Sequence, residues 1–207
     1  MRRCDVVLAG IGGQGVVTLG TLLKLAGLRQ GLEVAGAERR GGAQREGPVT
    51  SNVRYRVHEE AEPGDPRFAP FGGAIPPGGA HLLLSLEPLE AARCLPYVNP
   101  SSVVISEVSP RIPTAVRLGS AVYPPLGALW EMLREVTPRV HPVAMEAACL
   151  ERFGNLKRVN VVALGLASEL GDLPVSEGTL LEVIRERLPD FPGNRGAFEI
   201  GKDLARG

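Results

Sequence analysis

The chain has 207 residues, with 23 Lys+Arg balanced by 23 Asp+Glu, so its formal net charge is zero. That balance argues against a protein held to nucleic acid mainly by phosphate attraction. Apolar residues at 44% and charged residues at 22% are ordinary for a globular domain, and Gly (26) and Pro (18) promise many turns within it. No apolar run approaches the roughly 18 residues a bilayer span requires. Aromatics are only 4%, so Leu, Val and Ala must fill most of the core.

Residues 4–9 (Cys-Asp-Val-Val-Leu-Ala) are a short apolar run that ends in glycines, which predicts a buried strand. The basic start before it resembles a signal peptide, but the glycines from Gly10 break the run too early for an h-region of about 7–15 residues. The expectation is the mature start of a cytoplasmic protein. Val16, Leu19, Leu22, Leu23 and Ala26 then recur at helical spacing, and Gly31 is placed to end that helix. Residues 32–37 read as a second strand. Strand, glycine turn, helix, strand is the opening of a βαβ unit with a parallel sheet.

The polar stretch 38–47 carries Glu38, Arg39, Arg40 and Arg45 among three glycines. Residues 49–57 alternate, with Val49, Ser51, Val53, Tyr55 and Val57 on one side, as in a half-exposed strand. Residues 58–79 hold five prolines and five glycines and predict a long loop, either a functional lid or a surface excursion. Further strands are expected at 80–86, 102–106, 119–123 and 139–144. Helices are expected from Pro88 to Leu95 and over 125–136, which contains Trp130. The chain from Met145 onward reads as helical, with breaks at Gly154, at Gly171 to Pro174 and at Leu188 to Gly193. The expected fold is α/β: a single domain over residues 1–207, three-layer α/β/α, with a mostly parallel, mixed sheet. One antiparallel excursion falls near 49–57, and the C-terminal third is helical.

Cys4, Cys94 and Cys149 are odd in number and far apart, so no self-contained cysteine-ligated cluster is expected. His58, His81 and His141 share no metal-ligand spacing. Gly10, Gly12 and Gly15 satisfy G-x-G-x-x-G between a strand and a helix, where backbone N–H groups and the helix dipole can receive a phosphate. The same turn could equally serve close strand–helix packing. Glu38 stands where a ribose-binding acid would be. Arg39, Arg40 and Arg45 suit bidentate contact with phosphate or carboxylate, or a solvated loop partnered by Glu38 and Glu46. In an open parallel sheet, both features would lie at the carboxyl ends of adjacent strands. Glu87 reads as an acid or base, or as a helix-start carboxylate.

Several stretches resemble one family. Gly10-Ile11-Gly12-Gly13-Gln14-Gly15-Val16-Val17, Glu38 to Val49 and Ser51-Asn52-Val53-Arg54 are similar to the gamma subunit or gamma domain of 2-oxoacid:ferredoxin oxidoreductases. The likeness is strongest to the small, beta, subunits of its indolepyruvate branch. Leu86 to Ala91, Tyr123-Pro124, Phe153-Gly154-Asn155, Asn160 to Gly165 and Asn194 to Gly201 extend it over nearly the whole chain. The sequence departs from the pattern at Glu46 and His81. The resemblance implies oxidative decarboxylation of an aryl pyruvate with coenzyme A and ferredoxin. It places thiamine diphosphate and [4Fe-4S] clusters on a large alpha subunit. It implies ligand contacts from Gly10, Gly12, Gly13, Gln14, Gly15, Arg40, Arg45 and Asn52, with Arg45 meeting a coenzyme A phosphate or the substrate carboxylate. It does not imply a metal on this chain, nucleic acid or a membrane. Isolated, the chain would be a monomer or a homodimer. The alternatives are a stand-alone Rossmann-type nucleotide-binding oxidoreductase and an assembly module without ligand.

Overall fold

Strand β1 (Arg2–Ile11) is built on strict alternation: Cys4, Val6 and Leu8 enter one apolar core, while Val7 and Ala9 enter another on the opposite face. The computed structural model describes residues 2–41, 47–57 and 72–207. Most of the 58–79 segment, and Arg45, lie outside those residues. The first core is covered by α1 (Val16–Arg29) and by helices of the C-terminal third: α5 (Met145–Phe153), α6 (Val159–Leu170), α7 (Glu177–Arg187) and α8 (Phe191–Arg206). The second core is covered by α2 (Pro88–Arg93) and α4 (Leu126–Arg134), through Ala91, Trp130 and Leu133. The three-layer α/β/α architecture is therefore as expected.

The remaining strands are β2 (Glu33–Arg40), β3 (Pro48–Val57), β4 (Leu82–Ser85), β5 (Val103–Glu107) and β6 (Val140–Val143), in the order β2-β3-β1-β4-β5-β6. β1 pairs in parallel with β4, β4 with β5 and β5 with β6, whereas β3 runs antiparallel to both β1 and β2. This corrects the simple βαβ opening. β1 and β2 do point the same way, but β3 is inserted between them. The reason is in β3 itself: Val53 and Tyr55 bury toward α1, and Arg54 pairs with Asp5 of β1 on the other face.

α1 sits close on β3 because Gly20 and Gly27 leave room for Ser51 and Tyr55, and the Tyr55 hydroxyl donates to the Leu23 carbonyl at 2.9 Å. Its end is a Schellman motif. Gly31 adopts φ 78°, its N–H donates to the Leu28 carbonyl, and the Leu32 N–H donates to the Gly27 carbonyl.

Two more expectations are corrected. Residues 119–123 form no strand: α3 (Thr114–Arg117) is stopped by Gly119 at φ 74°, and the chain then runs as irregular structure into Pro124 and Pro125. The break placed at Leu188 to Gly193 closes earlier. The Asp190 carboxylate accepts from the Gly193 N–H, and α8 begins at Phe191 with proline in its first turn. The three cysteines form no disulfide and are buried. Among the described residues, no helix is long and apolar enough to cross a membrane.

Candidate functional site

The glycine turn lies at the carboxyl end of β1 and opens α1. Gly13 and Gly15 take φ of 97° and 84°, which a residue with a Cβ rarely adopts. α1 has no side-chain cap and no acidic residue in its first turn, so its leading N–H groups and positive dipole end are left to whatever sits before them. Gln14, expected to meet a ligand, does structural work here. Its Oε1 accepts from the Ile11 N–H at 2.8 Å and its Nε2 donates to the Leu86 carbonyl at 2.8 Å, tying the ends of β1 and β4 together. Gly10 is required by that clamp, since a Cβ there would lie 2.9 Å from the Gln14 Oε1 and 2.8 Å from Val16.

Two clefts flank the turn. One, of about 590 Å³, is lined by Gly12, Gly13, Gly15, Arg111, Lys157 and Asn160 among others. The other, of about 340 Å³, lies between the turn and Arg40. The turn and the arginine segment thus meet, though not at the ends of adjacent strands as expected. They are joined because β3 starts beside them, with the Gly12 N–H donating to the Gly47 carbonyl at 2.9 Å.

The other predicted residues part company. Glu38 is held by Lys24 at 3.3 Å and Arg40 at 3.2 Å, so the acid a ribose would need is already ion-paired. Asn52 is on the face of β3 away from Val53 and Tyr55 and lines none of these clefts. Arg45 falls outside the described residues.

Sequence reasoning missed the far wall of the larger cleft. Arg111 comes from the segment after β5 and pairs with Glu146 of α5 at 2.6 Å. Lys157 comes from the turn before α6 and Asn160 from its first turn, and the Asn160 amide stands against Gly15. The available signal was slight: Lys157 is one of three lysines in an arginine-rich chain. Replacing Gly15 with alanine should cost about 1–2 kcal/mol of stability, from the positive φ and the displaced Asn160. Urea unfolding measures this, and an unchanged midpoint would refute the strain.

Glu87 resolves as a helix-start carboxylate. It is 1% exposed; Oε2 accepts from the Glu90 N–H at 2.9 Å, while Oε1 accepts from the Arg111 N–H at 3.2 Å and the Tyr123 hydroxyl at 2.6 Å. Glu107, at the end of β5, is likewise occupied by the N–H groups of Val108, Ser109 and Glu146. Both carboxylates serve backbone donors, a scaffold role rather than that of a free general base. A second strand-end cleft of about 500 Å³ shares Arg111 with the first and adds Arg93 and Arg117. In its wall, burial pushes the Glu90 carboxyl up, opposed by Arg93. Among the described residues, no group of three or more His, Cys, Asp or Glu could hold a metal ion.

The fold is shared with solved structures. The fold matches a keto/oxoacid ferredoxin oxidoreductase gamma subunit from Geobacter sulfurreducens over 98% of both chains, with TM-score 0.68 and 18% identity. It also matches a 2-oxoglutarate:ferredoxin oxidoreductase from Magnetococcus marinus, with TM-score 0.71 and 21% identity; all of this chain spans 31% of that longer one.

Residues 5–204 match the family model described as pyruvate ferredoxin/flavodoxin oxidoreductase, and the chain belongs to that family. Its sequence is 39% identical to the "Indolepyruvate oxidoreductase subunit IorB" of Archaeoglobus fulgidus, over 90% of this chain and 86% of the relative. It is 33% identical to the protein of the same name from Thermococcus kodakarensis, over 100% and 98%. The chain is accordingly a subunit of an oxidoreductase.

Proposed function

We propose that this chain is one gamma-type domain acting as the small subunit of a cytoplasmic, thiamine-dependent 2-oxoacid:ferredoxin oxidoreductase that takes an aryl pyruvate such as indolepyruvate. The names of the relatives support the substrate class. The observation that carries the site is the convergence of the uncapped α1 N-terminus, Arg111, Lys157 and Asn160 on one cleft. Such a surface suits the phosphates of coenzyme A or the substrate carboxylate.

In the proposed reaction the 2-oxoacid carboxylate leaves as carbon dioxide. The acyl carbon bonds to the coenzyme A sulfur, the thiol proton is released, and two electrons reduce two ferredoxins. Thiamine diphosphate and iron–sulfur clusters, carried by a large alpha subunit, would supply the decarboxylation and electron-transfer chemistry. The cysteines of this chain are separate and buried, and Cys94 has its thiol pushed up to about 12, chiefly by burial, which keeps it an inert thiol. The part left to this chain is to bind and neutralise anionic groups at the strand ends and to shield that region from water.

The test is the complex reassembled with its large subunit. Arg111→Ala should raise the apparent KM for coenzyme A roughly tenfold, the scale of one lost charge-assisted hydrogen bond, with assembly unchanged. Arg45→Ala is expected to act in the same direction. An unchanged KM with intact assembly rejects the anion role, and loss of the large subunit on a sizing column assigns this face to docking instead.

A further inference from the structure

Between β5 and α4 the chain makes a long excursion, and both limbs of it return to one atom. The Arg111 N–H and the Tyr123 hydroxyl share the same Glu87 Oε1, at 3.2 and 2.6 Å. Residues 111–123 are therefore drawn shut at a polar neck, in the manner of an Ω-loop. Apolar burial contributes little to holding the loop down. Three of its apolar side chains, Ile112, Leu118 and Val122, are 43%, 77% and 89% exposed, and Val116 is only half-buried. The neck is built the other way: Glu87 is buried, anchored by its place at the end of β4 and by capping α2. Tyr123 stays a donor throughout the physiological range, because burial and the bond to Glu87 both push its ionisation up.

One residue of this loop faces the larger cleft, while Ile112, Pro113 and Arg117 join it in lining the second. Arg111, directly at the neck, lines both strand-end clefts and reaches Glu146 on α5. If the neck opens, the cation leaves with the loop and the ion pair to Glu146 breaks. We propose that residues 111–123 are a hinged flap latched on the Glu87 carboxylate, and that Tyr123 and Glu87 are positioning residues which hold Arg111 against the anion cleft. The part that concerns ligand rests on the reading of that cleft given above. The latch itself does not, and the experiment separates them.

The latch is tested by hydrogen exchange on the full chain. Tyr123→Phe removes one bond to a charged acceptor and should speed exchange of the described amides in 111–123 about tenfold, while β1 and β4 keep their protection. Glu87→Gln keeps an acceptor oxygen without the charge and should give a smaller increase. Unchanged exchange in Tyr123→Phe, or loss of protection spread over the whole sheet, overturns the latch.

The positioning role is tested by titrating inorganic pyrophosphate as the probe. Tyr123→Phe should weaken its binding about fivefold in the wild-type background and have no further effect on top of Arg111→Ala, because the two then act through one group. Independent, additive losses overturn the positioning role. Wild-type chain that takes no pyrophosphate rejects the anion reading of the cleft and the positioning role built on it, leaving the exchange result to decide the latch alone.

Discussion

Arg54→Ala should lower the unfolding free energy of the chain by about 3–5 kcal/mol, the largest single loss expected outside the apolar core. Arg54 and Asp5 are directly opposed across β3 and β1, both buried. Arg54 Nε and a terminal nitrogen donate to the two carboxylate oxygens at 2.9 and 3.1 Å. Its other terminal nitrogen donates to the Gly72 and Ala74 carbonyls at 2.8 and 2.9 Å, so the same guanidinium holds the chain where it approaches β4. Truncation leaves a buried carboxylate without its counter-charge and two carbonyls without their donor.

The cost is that of the orphaned partners rather than of the pair, and a second variant shows this. Asp5→Leu with Arg54→Met removes both charges and should lose less than Arg54→Ala alone. It should not be neutral, because the Gly72 and Ala74 carbonyls remain unserved. Urea unfolding monitored by circular dichroism measures both. A loss below about 1 kcal/mol for Arg54→Ala, the scale of an exposed ion pair, would show that water already reaches this site.

Gly201→Ala should be destabilising by about 3 kcal/mol, although glycine to alanine within a helix ordinarily stabilises by up to about 1 kcal/mol. The sign is decided by the crossing of α6 and α8. A Cβ at Gly201 would lie 2.0 Å from the Val162 carbonyl oxygen and 2.8 Å from the Leu166 nitrogen. One at Gly165 would lie 2.0 Å from the Phe198 carbonyl oxygen. These obstacles are backbone and cannot rotate away, so the helices must separate, and Val162, Leu166, Ala197 and Phe198 would loosen with them. Gly127, in the first turn of α4 with nothing near its Cβ position, is the control. Gly127→Ala should be neutral or stabilising by about 0.5 kcal/mol. Equal effects at the two sites would refute the close helix contact.

Local sequence was a good guide wherever one period or one turn decides the outcome. The run 49–57 is a strand antiparallel to the rest as expected, although residues 53–56 are all buried where the alternation suggested a half-exposed strand, and the apolar spacing of Val16 to Ala26 placed α1 and the face it buries. It failed at 119–123, where Ala121, Val122 and Tyr123 look like a strand but have no partner. There the chain is irregular, and its one phenol reaches a buried carboxylate. A short apolar run carries no mark that separates these two cases.

The candidate site divides along the same line. The glycine turn was legible because positive φ at Gly13 and Gly15 is a property of the chain itself, requiring only residues without a Cβ. Gln14 was legible as special but not as a clamp, since its acceptor, the Leu86 carbonyl, lies just past the end of β4, 72 positions away.

What the sequence determined by itself is the set of elements, their buried faces and the turn that opens α1, each settled by forces acting within a few residues. The order of the strands, with β3 between β1 and β2, and the gathering of Arg111, Lys157 and Asn160 around that turn were decided only by tertiary structure. Those outcomes depend on which distant faces bury one another and which buried charges find partners. Such pairings have no spacing in the chain from which to be read.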